Sequence, residues 1–246
     1  IYGNSGDDRL FGEEGNDTVY GGKGDDLVDG GDGDDLLHGN SGNDTLADGA
    51  GNDTVLGQSG DDTMLAGEGN DSYSGGSGFD TLDFSAAAGG MTIDISKKTA
   101  TGMGSDTFSS IERVIGSANA DTFKGSSGVD TIDGGAGNDV IRGLGGAGVL
   151  TGGEGADRFF WEKLDVGGSQ GVDRITDFRP GDVLDFTKLV GAGSKPLGDY
   201  VSITDTAEGS LVSVKLGGAM VGVALLEDVH GVTATQLLSD GQLLVG

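Results

Sequence analysis

The sequence predicts an all-β chain: a parallel β-roll of short strands followed by a β-rich C-terminal cap. Three observations carry that expectation. Glycine, aspartate and an apolar residue recur at fixed places in a nine-residue period, the apolar place falls once per period, and the 246 residues include 52 Gly but only 2 Pro. A nonapeptide with glycines in front and β-branched or apolar residues behind is one turn followed by one short strand.

Read from Gly3, residues 3 to 83 divide without insertion into GNSGDDRLF, GEEGNDTVY, GGKGDDLVD, GGDGDDLLH, GNSGNDTLA, DGAGNDTVL, GQSGDDTML, AGEGNDSYS and GGSGFDTLD. A second array runs from Gly116 to Phe160 as GSANADTFK, GSSGVDTID, GGAGNDVIR, GLGGAGVLT and GGEGADRFF. Position six is Asp in 13 of these 14 units, and position eight is apolar or aromatic in all of them. In a three-residue strand only the middle side chain points inward, which accounts for one obligatory apolar residue per unit. Turn, strand, turn, strand then closes an 18-residue coil. Leu10, Val28, Leu46, Met64 and Leu82 are expected to line one inner sheet, and Val19, Leu37, Val55 and Tyr73 the other. One large side chain per nine residues buries little apolar area, and the glycines raise the entropy lost on folding. Such a coil needs another source of binding free energy.

Residues 84 to 115 interrupt the arrays. Met91 to Ile95 alternates as a strand does and Ile111 to Ile115 reads as another, so this stretch is expected to continue the roll. After Phe160 conventional strands are expected at Val172 to Phe178, Val183 to Phe186, Val201 to Thr204, Leu211 to Leu216 and Val221 to Leu226. Arg179-Pro180-Gly181-Asp182 is a turn signal between the first two. A cap is required because a last coil exposes apolar residues and unpaired strand edges, and Trp161, Phe160 and Phe178 are candidates to cover it. The expected organisation is a first array at 1–83, a strand-forming insertion at 84–115, a second array at 116–160, and a cap at 161–246. The chain starts at Ile1 in mid-pattern, as a piece of a longer protein would.

The unit GGxGxDxUx resembles the calcium-binding repeat of the RTX family, across more than half of the chain. VDRITDFRPGDVLDFTKL is similar to the region that follows the repeats in serralysin-type proteases and other type I secreted proteins. The closing stretch LLEDVHGVTATQLLSDGQLLVG resembles uncleaved C-terminal signals of that route, although it ends in Gly246 and lacks a terminal acidic-apolar tetrapeptide. The resemblance implies a secreted, extracellular or cell-surface protein of Gram-negative bacterial type, handled by a type I secretion apparatus.

Charge leads to the same cation. The chain has 41 acidic and 14 basic residues, a net charge of -27, which disfavours nucleic acid and anionic membranes as partners. Asp8, Asp26, Asp44, Asp62 and Asp80 lie 18 apart and stack on one edge, while Asp17, Asp35, Asp53 and Asp71 stack on the other. Carboxylates one coil apart repel unless a hard cation sits between them. Calcium accepts six to eight oxygen ligands in flexible geometry, whereas magnesium demands a tighter octahedron. Cysteine is absent, so thiolate metal sites are excluded, and transition metals, which favour imidazole or thiolate, would find only His38 and His230.

In RTX β-rolls each ion is held by two Asp carboxylates and two backbone carbonyls from each of two loops. Carried onto this chain, the resemblance implies Asp8 and Asp26 with the carbonyls of Asn4, Gly6, Gly21 and Lys23. Along that edge follow Asp26 and Asp44 with Gly22, Gly24, Gly39 and Ser41; Asp44 and Asp62 with Asn40, Gly42, Gly57 and Ser59; and Asp62 and Asp80 with Gln58, Gly60, Gly75 and Ser77. The other edge gives Asp17 and Asp35 with Glu13, Gly15, Gly30 and Asp32; Asp35 and Asp53 with Gly31, Gly33, Asp48 and Ala50; and Asp53 and Asp71 with Gly49, Gly51, Ala66 and Glu68. The second array implies Asp121 and Asp139 with Ser117, Asn119, Gly134 and Ala136, then Asp139 and Asp157 with Gly135, Gly137, Gly152 and Glu154. Asp130 faces Gly148 one coil on, so its site is expected to be weak or empty. About nine Ca²⁺ ions would bring the net charge from -27 to about -9.

No HExxH helix, GxSxG elbow or lysine-bearing phosphate loop is present, and no enzymatic activity is expected of this chain. The leading expectation is a calcium-dependent secretion and folding module of a larger exported protein. The alternative is a structural element of a surface layer or adhesin, with cell-surface or lattice partners.

Overall fold

The computed structural model of the protein describes residues 1–162, 171–189 and 197–245. Each nonapeptide builds half a coil. Glycine at position four turns the chain through positive φ (112° at Gly6, 120° at Gly24), and the β-prone residues that follow pair with the strand 18 residues on. Val19 thus pairs with Leu37 and Val28 with Leu46, all in parallel. Because both members of each pair sit at position eight, every coil adds one inward apolar side chain per sheet. Val19, Val28, Leu37, Leu46, Val55, Met64, Tyr73 and Leu82 are buried, and Leu10, on the first coil, is half-buried.

The chain forms two compact units, Ile1–Asn119 and Ala120–Gly246. In the first, one sheet runs through Tyr2–Ser5, Thr18–Lys23, Leu36–Ser41, Thr54–Ser59 and Ser72–Ser77. Its other members are Ser105–Ser109, Thr99–Thr101 and Thr92–Asp94. The second sheet orders Arg9–Phe11, Leu27–Asp32, Thr45–Ala50, Thr63–Leu65, Thr81–Asp83 and Arg113–Ile115. The interruption therefore supplies four strands where two were expected. Thr92–Asp94 and Thr99–Thr101 form an antiparallel hairpin, and Ser105–Ser109 pairs parallel with Ser72–Ser77, Phe108 beside Tyr73.

In the second unit one sheet holds Thr122–Lys124, Val140–Arg142, Arg158–Phe160, Val183–Asp185 and Leu243–Leu244. The other holds Thr131–Asp133, Val149–Thr151, Asp173–Ile175 and then the antiparallel strands Ala219–Glu227, Gly209–Leu216 and Val201–Asp205. A short helix, Ala234–Ser239, is capped by the Thr233 side chain, which accepts the Gln236 N–H. The terminal Gly246 lies outside the described residues. Trp161 and Phe178 are buried, and the Trp161 ring packs 5.1 Å from that of Phe186. Phe160 does not join them. At position nine it faces outward, with the guanidinium groups of Arg142 and Arg158 5.7 and 5.4 Å from its ring centre. No helix among the described residues is long and apolar enough to cross a membrane.

Candidate metal centres

The position-six aspartates enter their strands with the side chain turned toward the stacked turns. Nine of them are tied to the coil before by one hydrogen bond from its backbone. The Asp8 N–H donates to Asp26 Oδ1 at 2.8 Å, and the same bond joins Asp26 to Asp44, Asp44 to Asp62 and Asp62 to Asp80 at 2.8 to 2.9 Å. On the other edge Asp17, Asp35, Asp53 and Asp71 are linked likewise at 2.7 to 2.9 Å. In the second unit Asp121, Asp139 and Asp157 follow at 2.8 and 2.9 Å. Both rows are thus continuous ladders in which one carboxylate oxygen serves the backbone.

The other oxygen is left over. Oδ2 of Asp8, Asp26, Asp35, Asp44, Asp53, Asp62, Asp80, Asp106, Asp139 and Asp157 is buried without a hydrogen-bond partner. Leaving a buried carboxylate oxygen unsatisfied is costly, and repeating it along a row compounds the cost. Burial first, and then the charge of neighbouring row members, raises Asp44 and Asp53 to about 6 and Asp62 and Asp139 to about 7. Asp35, Asp80 and Asp157 move in the same direction, with burial again the leading cause.

Position-one glycine shows what each oxygen faces. A Cβ added to Gly21 would lie 2.5 Å from Asp26 Oδ2 and 2.8 Å from the Gly39 carbonyl of the next coil. Asp44 Oδ2 with the Gly57 carbonyl, Asp35 Oδ2 with that of Asp48, and Asp139 Oδ2 with that of Gly152 bracket the corresponding points of Gly39, Gly30 and Gly134. Two acceptors converge in each corner with no donor between them. An all-oxygen set of this kind fits a hard divalent cation such as calcium. The position-three carbonyls of Lys23, Asp32, Ser41, Ala50, Ser59, Glu68, Ser77 and Glu154 accept the position-four N–H of the preceding coil at 2.7 to 3.0 Å, where that bond is resolved, and each carbonyl retains a second lone pair. Ser117 and Asn119 belong to the first unit, where the Ser117 hydroxyl donates to the Asn119 carbonyl at 3.2 Å.

The ladders reach further than the repeats. Asp71 N–H donates to Asp106 Oδ1 at 3.2 Å and Asp80 N–H to Glu112 Oε2 at 2.9 Å, both from the interruption. Gly148 N–H donates to Asp173 Oδ1 at 3.0 Å and Asp157 N–H to Asp182 Oδ1 at 3.0 Å, both from the segment after the second array. Gly148, which lacks a carboxylate of its own, thus still receives one from the next coil. Asp130 has both oxygens engaged by Ser126, through its N–H at 2.6 Å and its hydroxyl at 2.8 Å. A parallel outer ladder runs at position five, where the Asn or Asp side chain accepts the position-five N–H of the following coil, as Asp25 does from Asn43 at 2.8 Å. His38 stacks on Tyr20 at 4.4 Å on the outer face, and His230 is exposed.

Parallel nonapeptide coils edged by acceptor-only oxygen sites define a metal-binding β-roll. The chain belongs to the RTX family: a family model described as the RTX calcium-binding nonapeptide repeat (4 copies) matches residues 2–37, 38–73, 48–82, 115–150 and 137–160, just over half of the sequence. Among solved structures it is similar to the solution structure of the AlgE6R3 subunit of the Azotobacter vinelandii mannuronan C5-epimerase. That likeness has 26% identity over 52% of this chain and 64% of that one, with a TM-score of 0.34. It is also similar to the crystal structure of the extracellular lipase LipA from Serratia marcescens, at 20% identity over 92% of this chain and 40% of that one, with a TM-score of 0.32. This chain spans less than two thirds of the length of either. No curated protein matches the sequence.

Proposed function

We propose that this chain is a calcium-triggered folding and secretion module of a larger extracellular protein exported by the type I route. The observation that carries this reading is the set of buried Oδ2 atoms without partners along both edges. At low calcium these oxygens repel one another and the glycine-rich coils stay open. At millimolar calcium the ions bridge adjacent coils and the roll closes. Were each site to have a dissociation constant of about 0.1 mM, 1 mM free calcium would stabilise the fold by about 1.4 kcal/mol per ion. Nine such sites would supply on the order of 10 kcal/mol, the whole stability of an ordinary domain. The carboxylates would then supply the charge, the position-one and position-three carbonyls the remaining ligands, and the C-terminal strands the closure of the last coil.

The chain would have no catalytic task of its own. Two experiments test the reading. Circular dichroism should report disorder in chelator and β structure above about 1 mM calcium. Export from cells carrying a type I exporter should be lost when residues 225–246 are removed, and undiminished export of the shortened chain would refute the secretion role.

A further inference from the structure

One buried carboxylate of the first unit belongs to neither row. Asp48 stands at position one of its repeat, where every other unit has glycine or, once, alanine. In the glycine units that corner holds only the converging oxygens described above. Here a Cβ enters it and carries a carboxylate. Asp48 is 0% exposed, and one carboxylate oxygen from each of Asp48, Asp53 and Asp71 lies within 4.8 Å of the other two. Among the described residues none of the three forms a salt bridge. Three buried carboxylates at this spacing are strongly unfavourable without a cation.

Two further contacts set the arrangement. Asp53 Oδ2 is buried and unpartnered, so a coordination position remains open beside Asp48. Tyr73, the single tyrosine at position eight, donates its hydroxyl to Asp48 Oδ2 and lies 3.3 Å from Asp71 Oδ2, while Asp48 Oδ1 accepts the Gly49 N–H at 2.9 Å. One phenol proton cannot neutralise three charges, but it does fix where Asp48 points.

We propose that Asp48 is a third carboxylate ligand, contributed from position one to the cation held between Asp53 and Asp71, and that it makes this the tightest site of the first unit. Tyr73 is its positioning residue. The inference rests on the calcium reading above and adds a rank order to it. Calcium affinity rises with the number of charged ligands at otherwise similar sites, and a site with three carboxylates also favours a trivalent ion.

The test uses the full chain. Calcium affinities are measured by competition with a chromophoric chelator, and terbium is followed by emission sensitised through tyrosine excitation. In the unaltered chain the first equivalent of terbium should give tyrosine-sensitised emission, and Tyr73→Phe should abolish that early signal. Asp48→Asn keeps the side-chain size and an acceptor for Tyr73 but removes the charge. It should weaken the tightest calcium constant by at least about tenfold. Asp48→Gly, which restores the residue found in the neighbouring units, should do the same and guards against a folding defect peculiar to Asn. An unchanged tightest constant in both variants would overturn the role of Asp48 while leaving calcium-driven folding intact. A chain that bound no calcium at any site would overturn both.

Discussion

The middle of the first array and three positions of the second unit treat the ladder carboxylate in opposite ways. Asp26, Asp44 and Asp62 each give one oxygen to a backbone N–H and bury the other against a carbonyl, with no donor in reach. Asp130, Asp173 and Asp182 have protein donors at both oxygens. Ser126 serves Asp130, Gly148 and the Trp161 Nε1–H (2.9 Å) serve Asp173, and Asp157 and the Arg179 N–H (2.8 Å) serve Asp182. The Arg179 side chain also donates to the Gly153 carbonyl, placing a protein cation at the last coil. The difference teaches that dependence on an ion is not a property of the coil but of what stands opposite the second carboxylate oxygen.

The sharpest way to break that contrast is to delete carboxylates from both kinds of position. Replacing Asp44 and Asp62 together with Ala should raise the calcium midpoint of folding several-fold. Asp130→Ala should lower stability at saturating calcium, because Ser126 loses its acceptor, yet leave the midpoint within about twofold. Equal midpoint shifts in a calcium titration followed by circular dichroism would erase the distinction.

Acidity offers a second lever. Burial raises Asp44, Asp53 and Asp106 to about 6 and Asp62 and Asp139 to about 7, from an ordinary value of 3.8. A carboxyl raised in the fold favours folding while protonated, so that stabilisation is complete below pH 4 and disappears as pH rises through 6 to 7. Chelated protein should therefore show more β structure at pH 5 than at pH 8. With calcium present the order reverses, since protons compete with the ion, and the calcium midpoint should fall between those pH values. A metal-free signal insensitive to pH would contradict the burial of these groups.

Smaller effects are expected at the self-satisfied end. Trp161→Phe keeps an aromatic ring but removes the Nε1–H donor to the Asp173 carboxylate, which should cost about 1.5–3 kcal/mol at every calcium concentration in denaturant titrations. Arg179→Met removes the cation beside Gly153 and should cost less, about 1 kcal/mol, with part of the loss recovered by added calcium. Loss at Trp161 that vanished in excess calcium would place Asp173 among the ion-dependent carboxylates instead.

Much of this was legible in the sequence because the period is itself the structure. Nine residues fix one turn and one strand, so the parallel pairing of Val19 with Leu37 and the two Asp rows follow from counting. The extensions escaped because they break the count. Asp106, Glu112, Asp173 and Asp182 join the ladders at sequence separations of 35, 32, 25 and 25, where the arrays use 18. Residues 101–109 read TGMGSDTFS, a full unit in the same pattern, but out of phase with the array before it. Asp48 was visible only as an odd position-one residue, and that its side chain meets Tyr73 depends on three-dimensional stacking of units 18 residues apart. Phe160 was misplaced for a simpler reason: bulk suggested a cap, while its place in the period turns it outward.

Counting bound calcium on one sample while its circular dichroism is recorded reaches the core of the matter. Closure of the roll should track uptake of about nine ions, from an unordered metal-free state. A stripped chain already fully ordered, or one that orders without taking up calcium, would mean that the buried oxygens along both edges are satisfied in some other way.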